Sequence, residues 1–193
     1  MLENPIRRLS KIECGMFLAY GLACRGTCPR ARVGCLLMDK NGYHIATGYN
    51  GSAPGAPHCD DVQCELKDGH CVRVKAHAEK NALKRAKKFG AYRRLKDGYA
   101  FTTIRPCNSS HCFDDLAISG IKNIIYFEEY NANLVSAHQE KVCQKKGIIL
   151  EKFNLDIVEL IQKTLDFHQG PGGLLTGKNK LRIVEDIPEM MDH

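Results

Sequence analysis

His77, Glu79, Cys107 and Cys112 are residue types that can hold and use a metal ion. His77 offers an imidazole nitrogen, and Cys107 and Cys112 offer two thiolates, donors that zinc favours. Three protein donors leave one coordination position for water, which separates a catalytic zinc site from a closed structural one. Glu79 lies two residues beyond the imidazole, where a carboxylate can take a proton from that water and pass it on. The order His77-Ala78-Glu79, Pro106-Cys107, Cys112 therefore reads as hydrolytic zinc chemistry with a proton shuttle beside it. His111 is a competing donor. As a fourth ligand it would close the site and make the metal structural.

These residues need helices and strands to bring them together. Ile6, Leu9, Ile12, Met16, Phe17 and Tyr20 recur at helical spacing and predict a helix from about Ile6 to Ala23. Val33 to Met38 reads as a strand, Asn41-Gly42 as a turn, and His44 to Gly48 as the returning antiparallel strand. A long irregular segment runs from Asn50 to about Val74, and its Cys/His pairs, His58-Cys59 and His70-Cys71, could cross-link it through a metal. Ala76 to Phe89 predicts a helix stopped by Gly90. Strands follow at Tyr99–Ile104, Asn123–Phe127 and Ile148–Phe153, alternating with helices at Ser110–Ile118, Asn133–Lys146 and Asp156–His168. This order implies an α/β fold, a mixed sheet with helices on both faces. His77 falls at one helix start and Cys107 with Cys112 at another. Two positive dipole ends can then favour thiolate over thiol at one point.

The chain has 193 residues, 44% of them hydrophobic and 26% charged, within the range of one ordinary globular domain. No window is apolar enough for a membrane span, and the polar start, Met1 to Ser10, carries no secretory leader pattern. A cytoplasmic location is expected, and there ten cysteines argue for metal rather than disulfides. Cys14, Cys24, Cys35 and Cys143 fall in regular elements and read as small buried hydrophobes. The net charge is +6, with a basic run from Lys84 to Arg94 that reads as a solvated helix face and turn or as a nucleic-acid contact. Gly170-Pro171-Gly172-Gly173 breaks the pattern, so residues 1–170 are expected to form the domain and 171–193 an extension.

Thr27-Cys28-Pro29-Arg30, Gly48-Tyr49-Asn50-Gly51-Ser52, His58-Cys59, His70-Cys71, His77-Ala78-Glu79-Lys80-Asn81-Ala82, Pro106-Cys107, Cys112 and Ile118-Ser119-Gly120-Ile121-Lys122 together resemble the deoxycytidylate (dCMP) deaminases of the cytidine-deaminase superfamily. The likeness is to the bacterial late-competence and phage branch, and covers about two thirds of the chain. One departure is the Cys-x4-Cys spacing of Cys107 and Cys112, where Cys-x2-Cys is commoner.

The resemblance implies a three-layer α/β/α fold with a mixed, roughly five-stranded sheet. It implies conversion of dCMP and water to dUMP and ammonia, supplying dUMP for thymidylate synthesis. It assigns Zn²⁺ to His77, Cys107 and Cys112, the proton shuttle to Glu79, and nucleotide contacts to Asn50 and Tyr130. It also implies a homohexamer with dCTP and dTTP as effectors. Some relatives hold a second zinc in the loop region, and Cys28 and Cys59 match its positions. Cys71 and Cys64 would complete it, with His70 or His58 as replacements, against the alternative of packed free thiols. Arg105 adds a positive charge that could meet a phosphate or face solvent. Deamination of another cytosine or adenine substrate, or a silent nucleotide-binding zinc module, are the rival readings.

Overall fold

The computed structural model describes residues 8–67, 70–129 and 136–170, with His70 described by its backbone alone. Helix α1 (Lys11–Ala23) opens the chain. Its start falls later than the apolar spacing implied. Arg8 to Ser10 are not helical, and Ile6 lies outside the described residues. Ser10 with Glu13 makes the Ser-x-x-Glu pattern that marks a helix beginning.

Strands β1 (Gly34–Met38) and β2 (His44–Tyr49) form an antiparallel hairpin across the Asn41-Gly42 turn. The segment read as irregular contains a one-turn helix, α2 (Cys59–Val62), and a small hairpin, β3 (Leu66–Lys67) with β4 (His70–Cys71). Then come α3 (Ala78–Lys88), a 3-10 turn at Tyr92–Leu95, β5 (Tyr99–Ile104), α4 (Cys112–Ile118), β6 (Asn123–Glu128), α5 (Ala137–Lys146), β7 (Ile149–Lys152) and α6 (Ile157–Gln169).

The strands form one mixed sheet in the order β2-β1-β5-β6-β7. The first three neighbours pair antiparallel, and β5, β6 and β7 run parallel. Alternation along β1 divides its side chains between two faces. Cys35 and Leu37 join a buried cluster with Ala82 and Leu83 of α3 and Phe113 and Leu116 of α4. The opposite face meets α1, where Gly15 lies against the Phe101 ring and Gly34 against the Ala19 carbonyl. Helices on both faces of a mixed five-stranded sheet give the expected three-layer α/β/α arrangement.

Two close approaches set the helices on the sheet. A Cβ at Gly34 would sit 2.0 Å from the Ala19 oxygen of α1, and one at Gly48 would sit 2.0 Å from the Ala78 oxygen of α3. Ala78, Ala82 and Ala86 keep the inner face of α3 small, so the helix can lie this near to β2. Asn81 Nδ2 donates to Tyr49 O and Arg85 Nη1 donates to Thr47 O, both at 2.8 Å, and tie α3 to the edge strand. His77 and Glu79 flank Ala78, so the contact at Gly48 also sets their depth.

The chain divides into two compact units. Lys11–Asn154 contains the sheet and α1 to α5. Helix α6 belongs to the other unit, capped by Asp156, whose Oδ1 accepts from Val158 N–H at 2.7 Å. The extension expected at 171–193 lies outside the described residues.

Candidate active site

His77 is the residue just before α3 rather than part of its first turn. Its φ of −78° and ψ of 161° are extended, outside the helical range, and its side chain makes no capping hydrogen bond. Cys112 is the first residue of α4, and Cys107 lies in the strap that leaves β5. The donor atoms of these three residues meet: His77 Nδ1 is 3.4 Å from Cys107 Sγ and 3.3 Å from Cys112 Sγ. A tetrahedral zinc with ordinary bond lengths separates nitrogen and sulfur donors by about 3.6 Å, close to what the donors already show.

The long spacing is absorbed by a turn. His111 N–H donates to Asn108 O at 2.9 Å and Phe113 N–H to Cys107 O at 3.2 Å. His111 adopts φ 57°, which bars it from the helix and delays α4 to Cys112 instead of Ser110. Its imidazole is exposed, with Nδ1 3.5 Å from Asp114 Oδ2. His111 is therefore not part of the three-donor group, and among the described residues no fourth donor joins it.

Glu79 is only 3% exposed. Its Oε2 has no hydrogen-bond partner, the kind of orphan a substrate or ion satisfies. Burial pushes the carboxyl up to about 7, against the pull of its own backbone N–H and of His77. Cys107 moves the other way. The Cys112 thiol, His77 and the Ser110 N–H hydrogen-bond to its sulfur and bring it down to about 3 despite burial. That interaction and burial push the Cys112 thiol up, and the Cys107 contact raises His77. Two sulfurs and an imidazole held this close, with their proton affinities pulled in opposite directions, are a donor set that suits a divalent cation.

His77, Glu79 and Cys107 line a cavity of about 190 Å³, together with Arg30, Ser109 and Ser110. Asn50 also lines it. Its amide braces the cavity wall, with Oδ1 accepting from Val33 N–H and Nδ2 donating to Ala31 O, both at 2.8 Å. Tyr130 lies outside the described residues. Arg105 also lines the cavity rather than facing open solvent: it is 12% exposed, pairs with Glu129 at 3.1 Å, and lies 5.4 Å from the Tyr126 ring centre.

Cys28, Cys59, Cys64 and Cys71 form the second cluster, their sulfurs all within 4.8 Å of one another. Cys28 and Cys64 are 3.5 Å apart and Cys59 and Cys71 3.4 Å, far beyond a disulfide's ~2.05 Å and near the ~3.8 Å between sulfurs on tetrahedral zinc. The side chain of His70 lies outside the described residues, and His58 is not among the four donors. Burial raises Cys71, but hydrogen bonds from Cys59 and from the Val74 and Arg73 N–H groups outweigh it and bring the thiol down to about 7. Cys28 and Cys71 line the same cavity as His77 and Glu79, so the two clusters adjoin one chamber.

The basic run is mostly exposed, as a solvated helix face and turn would be, and three of its residues also make contacts within the chain. Arg85 bonds Thr47, Arg94 pairs with Asp39 at 2.7 Å, and Lys87 lies over the Tyr92 ring. Arg30, Ser109 and Ser110 were not read from the sequence as cavity residues. Only the Thr-Cys-Pro-Arg element held a hint, since it places Arg30 beside Cys28.

Comparison with known proteins agrees with this architecture. The family model of the cytidine and deoxycytidylate deaminase zinc-binding region matches residues 9–128. The ComE operon protein 2 of Bacillus subtilis (strain 168) is 36% identical over 159 residues, 80% of this chain and 78% of that protein. The deoxycytidylate deaminase of Schizosaccharomyces pombe is 32% identical over 164 residues, 79% of this chain, and the chain spans about half of that protein, 47%. The crystal structure of dCMP deaminase from the cyanophage S-TIM5, in complex with dCMP and dUMP, superposes with a TM-score of 0.60 at 30% identity, covering 76% of this chain and all of that one. With well over half its length matched by the family model and its fold shared with a dCMP deaminase structure, the chain belongs to the cytidine and deoxycytidylate deaminase family.

Proposed function

We propose that this protein hydrolytically deaminates dCMP to dUMP and ammonia. The observation that carries the reading is the convergence of His77, Cys107 and Cys112 beside the unpartnered Oε2 of buried Glu79 in one cavity. The relatives named for dCMP deamination add the substrate.

His77 Nδ1 and the thiolates of Cys107 and Cys112 would hold Zn²⁺. When bound, the ion would lower the pKa of a water toward neutrality. Glu79 does the proton work. Its carboxylate takes the proton that the attacking water loses and delivers it to N3 of cytosine. Glu79 then takes the proton of the hydroxyl now on C4 and passes it to the 4-amino group, so that C4=O forms, the C4–N bond breaks and ammonia leaves. Burial suits Glu79 to this task, because a carboxyl raised toward neutral pH both accepts and gives up a proton readily. Asn50 and Tyr130 would contact the nucleotide, by their match to the family motifs.

Cys28, Cys59, Cys64 and Cys71 would hold a second, structural zinc with no open position, so that the 59–71 segment is pinned beside the cavity. Residues 1–170 would make up the deaminase domain. A cytoplasmic homohexamer that supplies dUMP for thymidylate synthesis under dCTP and dTTP control rests on the family resemblance alone.

Assay of dCMP, CMP, dCTP, deoxycytidine and a single-stranded oligonucleotide tests the proposal. Ammonia release from dCMP well above the others is expected. A preference for the oligonucleotide or for dCTP, or release from none of them, would overturn it.

A further inference from the structure

We infer that Gln139 is a positioning residue for Cys107. The inference rests on the reading of His77, Cys107 and Cys112 as zinc donors. Gln139 lies in the first turn of α5 and is 3% exposed. Its Oε1 accepts from Arg105 Nε at 2.9 Å. Its Nε2 donates to Pro106 O and to Asn108 Oδ1, both at 2.8 Å. These three bonds fall on residues 105, 106 and 108, on either side of Cys107. One amide group thus grips the strap around the donor sulfur.

The strap has few other ties to the body of the fold. Arg105 N–H still bonds Glu128 O at 2.8 Å, the last sheet-like bond of this segment. Beyond it, the bonds from His111 N–H to Asn108 O and from Phe113 N–H to Cys107 O shape the strap and lead it into α4. Among the described residues, Gln139 alone hydrogen-bonds it to α5. The donor that Gln139 accepts from is itself fixed. The Arg105 guanidinium bonds both carboxylate oxygens of Glu129, at 3.1 and 3.3 Å, and Tyr126 OH donates to Glu129 at 2.5 Å.

The demand on residue 139 is specific. It needs one acceptor toward Arg105 and two donors toward the carbonyl and the Asn108 amide oxygen, and only an amide end supplies both. Glutamate keeps the acceptor and nearly the same shape, but sets carboxylate oxygen against two acceptors. Groups that orient a metal's ligands typically change metal affinity ~10–100-fold when altered.

The test follows zinc release from the zinc-loaded full-length protein to a chromogenic chelator. Cys107→Ser identifies the phase that belongs to this site, and Cys64→Ser the phase of the four-cysteine cluster. Gln139→Glu and Gln139→Ala should accelerate the Cys107-dependent phase ~10–100-fold and leave the other phase unchanged. The cobalt-loaded Gln139→Glu protein should show a shifted thiolate-to-cobalt absorption band. The kcat for dCMP should fall while KM stays within a few-fold. Asn108→Ala, which removes one bond of the three, should accelerate the same phase by a few-fold and decides the matter if neither Gln139 variant folds. An unchanged Cys107-dependent phase in the folded variants overturns the inference. So does equal acceleration of both phases, the mark of general loosening. If Cys107→Ser removes no zinc phase at all, the zinc reading falls and the inference with it, a result distinct from the other two.

Discussion

The two donor clusters share a cavity but are built by opposite strategies. His77 and Cys112 sit at the mouths of α3 and α4, elements packed on the sheet by Ala82, Leu83, Phe113 and Leu116. Cys59, Cys64 and Cys71 lie in a stretch whose regular structure is a four-residue helix and two strands of two residues each. Elements of that length hold little by themselves. The fold can therefore present the three-donor group ready-made, whereas the four-sulfur group must supply the cohesion of its own segment. On the proposed reading the first arrangement would leave a coordination corner free for chemistry, and the second would use every donor for support.

The sharpest way to break this contrast is through Glu79. Glu79→Gln should lower kcat for dCMP by ~10²–10⁴-fold while zinc content, measured by atomic emission, stays at the wild-type value. Loss of metal in that variant would make Glu79 part of the donor scaffold and erase the distinction between support and chemistry.

The next test lies in the supporting cluster. Cys64→Ser should remove one zinc equivalent and destabilise the protein by an amount on the order of several kcal/mol, because metal binding there is coupled to the folding of its segment. Chemical denaturation with metal analysis would read both. If the denaturation midpoint is unmoved, the hairpin stands without the metal.

A third test compares sulfurs in the reduced, metal-free protein. Cys107 is held down to about 3 by its Cys112, His77 and Ser110 partners, and Cys71 to about 7 by Cys59 and two backbone N–H groups. A thiolate exists above its pKa, and only the thiolate is alkylated. Cys107 should thus react with iodoacetamide already at pH 5. Reaction at Cys71 should rise about tenfold per pH unit below 7 and level off above it. Peptide mapping across pH measures this. The reverse order would mean that the helix-borne site does not select its thiolate in advance.

Much of this was legible beforehand, for identifiable reasons. The donors of the first cluster are bracketed by elements with clear periodicity, and Gly90 and Gly120 mark where helices stop. The antiparallel hairpin was announced by Asn41-Gly42. Other features depend on contacts that leave no local pattern. The hairpin at Leu66–Cys71 is too short to alternate, and the 3-10 turn at Tyr92–Leu95 sits in a run that reads only as basic. The exclusion of His111 depends on a single backbone angle. Gln139 is one polar residue on a polar helix, and only its three partners distinguish it.

The smallest effect is expected where the helix-borne site meets the sheet. A methyl group at position 48 would lie 2.0 Å from Ala78 O and 2.6 Å from Ala82 N, both backbone atoms that cannot swing aside. Gly48→Ala must therefore lift α3 from β2, at ~1–3 kcal/mol of stability, and carry His77 and Glu79 with it. At Gly21, inside α1, a methyl group would meet nothing within 4 Å, and there alanine should be neutral or stabilising by about 0.5–1 kcal/mol. Thermal melts of the two variants give the energies, and kcat for dCMP gives the coupling. Gly48→Ala should lower kcat more than its lost stability would account for, because the displaced helix start carries both the proposed zinc donor His77 and the proposed proton shuttle Glu79. A kcat that follows stability alone, with Gly48→Ala as active as wild type when fully folded, would mean that the strap around Cys107, and not the seat of α3, sets the geometry of the site.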